Sequence, residues 1–143
     1  MTPLQMSNYA AALSDAGTVW RPRVVLRLQT PEGTTVKSFA ASSAGHASVR
    51  PQDLQVILGA MRRVVADPIG TLYLGFRGTP VQFFGKSGTA ETTSGAPDIW
   101  FIGGASLDSP TLVVAAVVEE KPNGLHSLDA ASIGRHVIEA SLQ

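Results

Sequence analysis

The chain has 143 residues, and its eleven basic side chains balance eleven acidic ones. With 44% hydrophobic and 15% charged residues it can bury a core, while zero net charge gives no field to gather nucleic acid or an anionic membrane. The absence of cysteine excludes disulfides and thiolate metal sites.

The size suits one small domain or one piece of a larger one, and residues 1–143 are expected to form a single partial domain. The longest apolar run, Leu112–Val118, falls far short of the roughly 20 residues of a membrane helix. Met1-Thr2-Pro3-Leu4-Gln5 lacks the basic and apolar regions of a secretion signal. If the complete protein is exported, its address is expected upstream of this sequence.

Thr2–Asp15 reads as a helix, with Thr2 as cap, Pro3 in the first turn and Gln5 three residues after the cap. Leu4, Met6, Tyr9, Ala10 and Leu13 are spaced for one broad apolar face, and Gly17 is placed to stop the helix. Val24–Gln29 and Thr34–Phe39 read as short strands joined by the turn chemistry of Thr30-Pro31-Glu32-Gly33. Ala40–Ser48 is small and polar, which predicts a loop.

Pro51–Val65 carries the clearest helical period, through Leu54, Ile57, Leu58, Met61, Val64 and Val65, and Asp67-Pro68 ends it. Ile69–Pro80 contains three glycines and is expected to be mostly loop. Val81–Thr89, Ile99–Gly103 and Thr111–Glu119 read as strands, the last bounded by Ser109-Pro110 and Pro122-Asn123-Gly124. The unbroken apolar run in the last predicts cover on both faces. Asp129–Leu142 closes as a helix with Ile133, Val137 and Ile138 inward. The expected fold is α+β: three antiparallel strands packed with helices, plus a small hairpin.

The chemistry lies in Gly85-Lys86-Ser87-Gly88-Thr89-Ala90-Glu91. A nucleotide-binding P-loop would need its first glycine at position 80, which is Pro80, and an open loop where Phe83 and Phe84 stand. The alternative is the K-[ST]-G triad of serine acyltransferases that react with β-lactams. Period-two alternation puts Ser87 and Thr89 on one strand face, where two hydroxyls can hold a carboxylate, and turns Lys86 the other way. Gly88 leaves room for a ligand to lie against the backbone.

The surroundings extend the match. Trp100-Phe101-Ile102-Gly103 is similar to a W-F-x-G strand, and Leu112–Glu119 to the last strand of the same family. Thr2-Pro3-Leu4-Gln5-Met6 resembles its T-P-L-Q-M helix start, Gly17–Pro22 its G-G-T-x-x-x-P turn, and Met61–Val65 the helix before the triad. In family order across most of the chain, these segments resemble the C-terminal part of a penicillin-binding protein transpeptidase domain of the monofunctional, class B kind. Gly104 departs from the family, which usually has Tyr there, in packing more than in chemistry.

The resemblance implies a fragment of a peptidoglycan D,D-transpeptidase. Its partners would be D-Ala-D-Ala stem peptides and β-lactams, and its parent a membrane-anchored, extracytoplasmic bacterial protein. Lys86 would sit beside the nucleophile, Ser87, Gly88 and Thr89 would bind substrate, and the Thr89 N–H would be an oxyanion donor. No cofactor, metal or nucleic acid is implied.

The nucleophile itself is missing. No serine has a lysine three residues on, and neither Asn8 nor Asn123 follows a serine at S-x-N spacing. In the family both elements precede the T-P-L-Q-M helix, so the sequence is expected to begin just after them and to be inactive by itself. A β-lactam-sensing module and a non-catalytic structural fragment are the alternatives. Two copies are expected to join through Thr111–Glu119, or that strand to meet the earlier part of the domain, because a central apolar strand would otherwise be an edge. His46, His126 and His136 have no metal-ligand spacing, no G-x-S-x-G elbow exists, and Trp100 and Phe101 read as core.

Overall fold

The computed structural model describes residues 1–93, 95–105, 112–119 and 126–142. Helix α1 spans Pro3–Ser14, and Thr2 and Gln5 form the reciprocal cap that their spacing predicts. It ends as Ala16 turns to positive φ and the Gly17 N–H reaches back to the Ala12 carbonyl at 2.8 Å. Its buried residues are Ala10, Ala12 and Leu13; Leu4 and Tyr9, expected inside, are more than half exposed.

The chain then runs out and back as a two-stranded ribbon. Strands β1 (Thr18–Trp20) and β4 (Ser43–His46) pair antiparallel at its base, and β2 (Arg27–Gln29) and β3 (Thr35–Ser38) pair farther out. The outer hairpin is the expected one, shortened. Strand β4 falls where a loop was expected, because Ser43, Ala44 and Gly45 carry no apolar alternation to mark it. A side chain at Gly17 would meet the His46 ring at 3.0 Å, so this glycine lets the ribbon leave the helix closely.

Helix α2 covers Pro51–Ala66, with Leu54, Leu58, Met61 and Val65 buried and Ile57 turned outward. A one-turn helix α3, Tyr73–Phe76, interrupts the expected loop, because Leu72 and Phe76, four residues apart, both bury.

Strands β5 (Phe83–Ala90), β6 (Asp98–Ala105) and β7 (Leu112–Val118) form an antiparallel sheet in that order. Helix α4 covers Ser127–Ser141 and starts two residues before the expected Asp129, because that carboxylate accepts the His126 N–H across the first turn. Ala130, Ala131, Gly134 and Ile138 face inward, whereas Ile133 and Val137 are about half exposed. Small residues let α4 lie close to the sheet, so the large ones are displaced to its flank. Thr111 and the turns at Ser109-Pro110 and Pro122-Asn123-Gly124 lie outside the described residues.

The sheet is a layer between helices. On one face Phe83, Ile99, Phe101 and Ala105 pack with Phe76 and α4; on the other Phe84 and Ile102 pack with α1 and α2. Strand β7 contacts both α1 and α4, which is the two-sided cover its apolar run predicts. Among the described residues it has no second strand neighbour, so it stands at the sheet edge.

Candidate active-site strand

Strand β5 carries Gly85–Ala90 along the other edge of the sheet, paired only with β6 among the described residues. Its register sets Lys86 opposite Ile102, on the α1–α2 face, and sets Ser87 opposite Phe101 and Thr89 opposite Ile99, on the α4 face. The alternation expected of the motif is therefore present, but its hydroxyls are unequal. Ser87 is 9% exposed, while Thr89, Gly88 and Lys86 are open. The Lys86 Nζ donates to the Ser87 carbonyl and so lies along its own strand.

Glycines fix the strand's position in depth. A Cβ at Gly85 would lie 2.4 Å from Phe101 Cε2, one at Gly103 2.3 Å from the Phe84 carbonyl, and one at Gly134 2.5 Å from Phe101 Cδ1. The fully buried Phe101 ring thus occupies the space left by glycines on β5, β6 and α4. Gly104, where the resembled family has Tyr, faces the buried Phe84 ring: a Cβ there would lie 2.7 Å from it and from the Leu112 carbonyl.

Gly88 differs from all of these. A Cβ at Gly88 would meet only Trp100 Cβ, at an ordinary 3.7 Å. Nothing in the described residues requires a glycine there.

The entry to β5 is clamped from α4. Arg135 donates to the Gly75 carbonyl at 2.6 Å and to Glu139 Oε1 at 2.8 Å, and Glu139 Oε1 also accepts from Thr79 Oγ1 at 2.8 Å. Thr79 Oγ1 in turn accepts the Val81 N–H. The Arg135 hydrogen bond, helped by Thr79 and opposed by burial, holds the Glu139 carboxyl below its ordinary value. Sequence spacing makes the Arg135–Glu139 pair legible at i,i+4, but no local signal ties Thr79 to it.

A cavity of about 370 Å³ lies between α1, α2 and the ribbon, lined by Tyr9, Leu13, Val19, Val49, Leu54 and Ile57; no β5 residue borders it. No cluster of His, Cys, Asp and Glu among the described residues could hold a metal ion, and no described helix is long and apolar enough to cross a membrane.

The family model for the penicillin binding protein transpeptidase domain matches residues 1–139. The chain belongs to the penicillin-binding protein transpeptidase family. It is 32% identical over 154 aligned residues to the peptidoglycan D,D-transpeptidase PbpA of Mycobacterium tuberculosis, and 31% identical over 150 to that of Mycolicibacterium smegmatis. All of this chain is covered in each case, but only 30% of the relative, so the sequence spans about a third of the length of the curated relatives it matches.

Among solved structures, the crystal structure of PbpA from M. tuberculosis superposes with a TM-score of 0.80 at 30% identity, covering 100% of this chain and 33% of that one. The penicillin G acyl-enzyme complex of penicillin-binding protein A from the same organism gives a TM-score of 0.79 at 31% identity, with 100% and 32% coverage. Penicillin-binding protein 2B of Streptococcus pneumoniae strain R6, at 22% identity, shares the fold with a TM-score of 0.82 over 98% of this chain and 24% of that one. The α+β fold expected from the sequence is therefore that of part of a transpeptidase domain.

Proposed function

We propose that these residues are the K-S-G side of a serine D,D-transpeptidase site, completed by a nucleophile outside this sequence. The observation that carries the reading is strand β5, an edge strand with Lys86 on one face, Ser87 and Thr89 on the other, and a glycine between them that the described residues do not require. An open strand edge takes an extended peptide by backbone pairing, and Gly88 lets it approach.

In this proposal the terminal carboxylate of a D-Ala-D-Ala stem peptide, or that of a β-lactam, is held by the hydroxyls of Thr89 and Ser87. The Lys86 ammonium favours the deprotonated nucleophile during acyl transfer. The Thr89 N–H stabilises the tetrahedral oxyanion, a contribution of about 3–4 kcal/mol for such a donor. No cofactor enters these steps. The complete protein would act outside the cytoplasm of a bacterium, held by a membrane anchor.

The test is acylation of the complete protein by a fluorescent penicillin. Lys86→Ala should abolish labelling. Ser87→Ala should slow it by the loss of one hydrogen bond to a charged group, about 1.5–3 kcal/mol. Equal losses in the two variants would reject this division of roles. The 143 residues alone should form no adduct, since no serine here has the S-x-x-K lysine; a stoichiometric mass increase mapped to any serine would falsify that.

The open edge of β7 supports a second proposal, for the 143 residues by themselves. Val113, Val114 and Val117 flank unpaired backbone groups, and such an edge pairs with another strand. Two copies would join antiparallel here, a two-fold contact that closes on itself; in the complete domain a strand from the earlier portion would take that place. Light scattering at micromolar concentration checks it: a monomer with its Leu112–Val118 amides protected from exchange would mean the edge is covered within one chain.

A further inference from the structure

The ribbon is the part of the molecule that the site does not use. Every residue from Trp20 to His46 except Thr30 is exposed, and among the described residues the outer strands β2 and β3 pack chiefly against each other. Isolated hairpins are marginal in water, and solvated strands are usually polar on both faces. This one is not. Leu26 and Leu28 alternate onto one face, 62% and 49% exposed, with Phe39 beside them, and Val24 at the bend is 100% exposed.

Charge gathers on the same arm. Between Trp20 and Phe39 stand Arg21, Arg23, Arg27 and Lys37 against the single carboxylate of Glu32, while the rest of the chain is acidic in balance. Two of the cations are held in place: Arg23 donates to the Phe39 carbonyl, and Lys37 lies 4.9 Å from the centre of the Phe39 ring. An apolar stripe with ordered cations around it has the composition of a protein-binding surface with a basic rim.

The distribution along the arm selects among occupants. A membrane anchor would put its apolar and basic side chains at the tip, but the tip is Thr30-Pro31-Glu32-Gly33-Thr34, polar and acidic. A hydrated polyanion would meet the cations and leave the leucines uncovered. Only an apolar surface with carboxylates at its margin matches both sets of side chains.

We propose that the β2–β3 face is a docking arm for a separate protein that presents an apolar patch rimmed by Asp and Glu. This proposal does not rest on the transpeptidase reading, and its test reads neither acylation nor turnover.

In the complete protein, expressed in its own host, Leu26 is replaced by a photo-crosslinking amino acid, and the adducts formed on illumination are sequenced. The expected product is one protein, joined through an apolar segment flanked by acidic residues. Its yield should fall roughly tenfold or more in Arg23→Glu/Lys37→Glu, with the thermal melting of the crosslinking protein unchanged. Adducts to the protein's own chain would overturn the proposal, because the cover would then be internal. So would a second copy of the same protein, a lipid adduct or binding of the purified protein to phosphatidylglycerol vesicles, an adduct insensitive to the charge reversal, or no adduct.

Discussion

The β5–β6–β7 sheet and the β1–β4 ribbon are both antiparallel, and both carry large apolar side chains. Their environments are opposite. In the sheet, Phe84, Ile99 and Phe101 are almost wholly excluded from water, and glycines are spent to admit one aromatic ring. In the ribbon, side chains of the same kind stand in solvent, and among the described residues the outer pair packs chiefly on itself. Strand pattern alone thus says that a face is meant to be covered; it does not say by what. The sheet is covered by its own helices, and the outer arm is exposed among the described residues.

The sharpest way to break that contrast is to empty the sheet's centre. Phe101→Ala in the complete protein should cost about 3–5 kcal/mol, the range for a large buried aromatic, read as a shifted denaturant midpoint. A loss within experimental error would mean that the three glycines around the ring collapse into its place.

Adding one carbon should cost somewhat less. Gly103→Ala puts a methyl 2.3 Å from the Phe84 carbonyl, a backbone atom that moves only with its strand. The expected destabilisation is about 1–3 kcal/mol, toward the upper end. The same exchange at Gly88, where a Cβ meets only ordinary contact, should leave stability within about 0.5 kcal/mol; a large loss there would place Gly88 with the packing glycines.

The clamp at the entry to β5 gives a pH test. Glu139 is held below its ordinary value of 4.5 in the folded chain, so its contribution is complete above that value and is lost as pH falls through the lower, folded one. Arg135→Met should reduce stability at pH 7 by roughly 1 kcal/mol and flatten this part of the acid-side decline. Urea midpoints at pH 7 and in the acid range measure both, and an unchanged acid slope would remove Glu139 from the account.

On the arm the effect should vanish. Leu28→Ser lies on an exposed strand that, among the described residues, packs chiefly against β3, so stability should stay within about 0.5 kcal/mol. If this substitution unfolds the protein, the arm is packed in the complete molecule and the contrast between the two regions fails.

Much was legible because local chemistry is written locally. Thr2 and Gln5 cap α1, Pro51 and a clean apolar period mark α2, and Gly85–Glu91 with Trp100–Gly103 pointed to the family. Strand β4 and helix α3 were hidden: the first has no apolar alternation and exists by pairing with β1, the second has glycine inside it and exists because Leu72 and Phe76 share a core. Ile133, Val137, Leu4 and Tyr9 were expected inside and are not, since helical period fixes a face but not which edge of it meets the sheet.

The sequence by itself determined the three long helices, the three sheet strands and the resemblance of the motif, because caps, periods and short motifs depend on neighbours along the chain. Only the tertiary structure decided that Ser87 is nearly covered while Thr89 is open, that Phe101 rests on glycines from three elements, and that Thr79 meets Glu139 sixty residues away. Those facts depend on which surfaces come together, and the free energy that chooses them is the burial of faces contributed by distant segments.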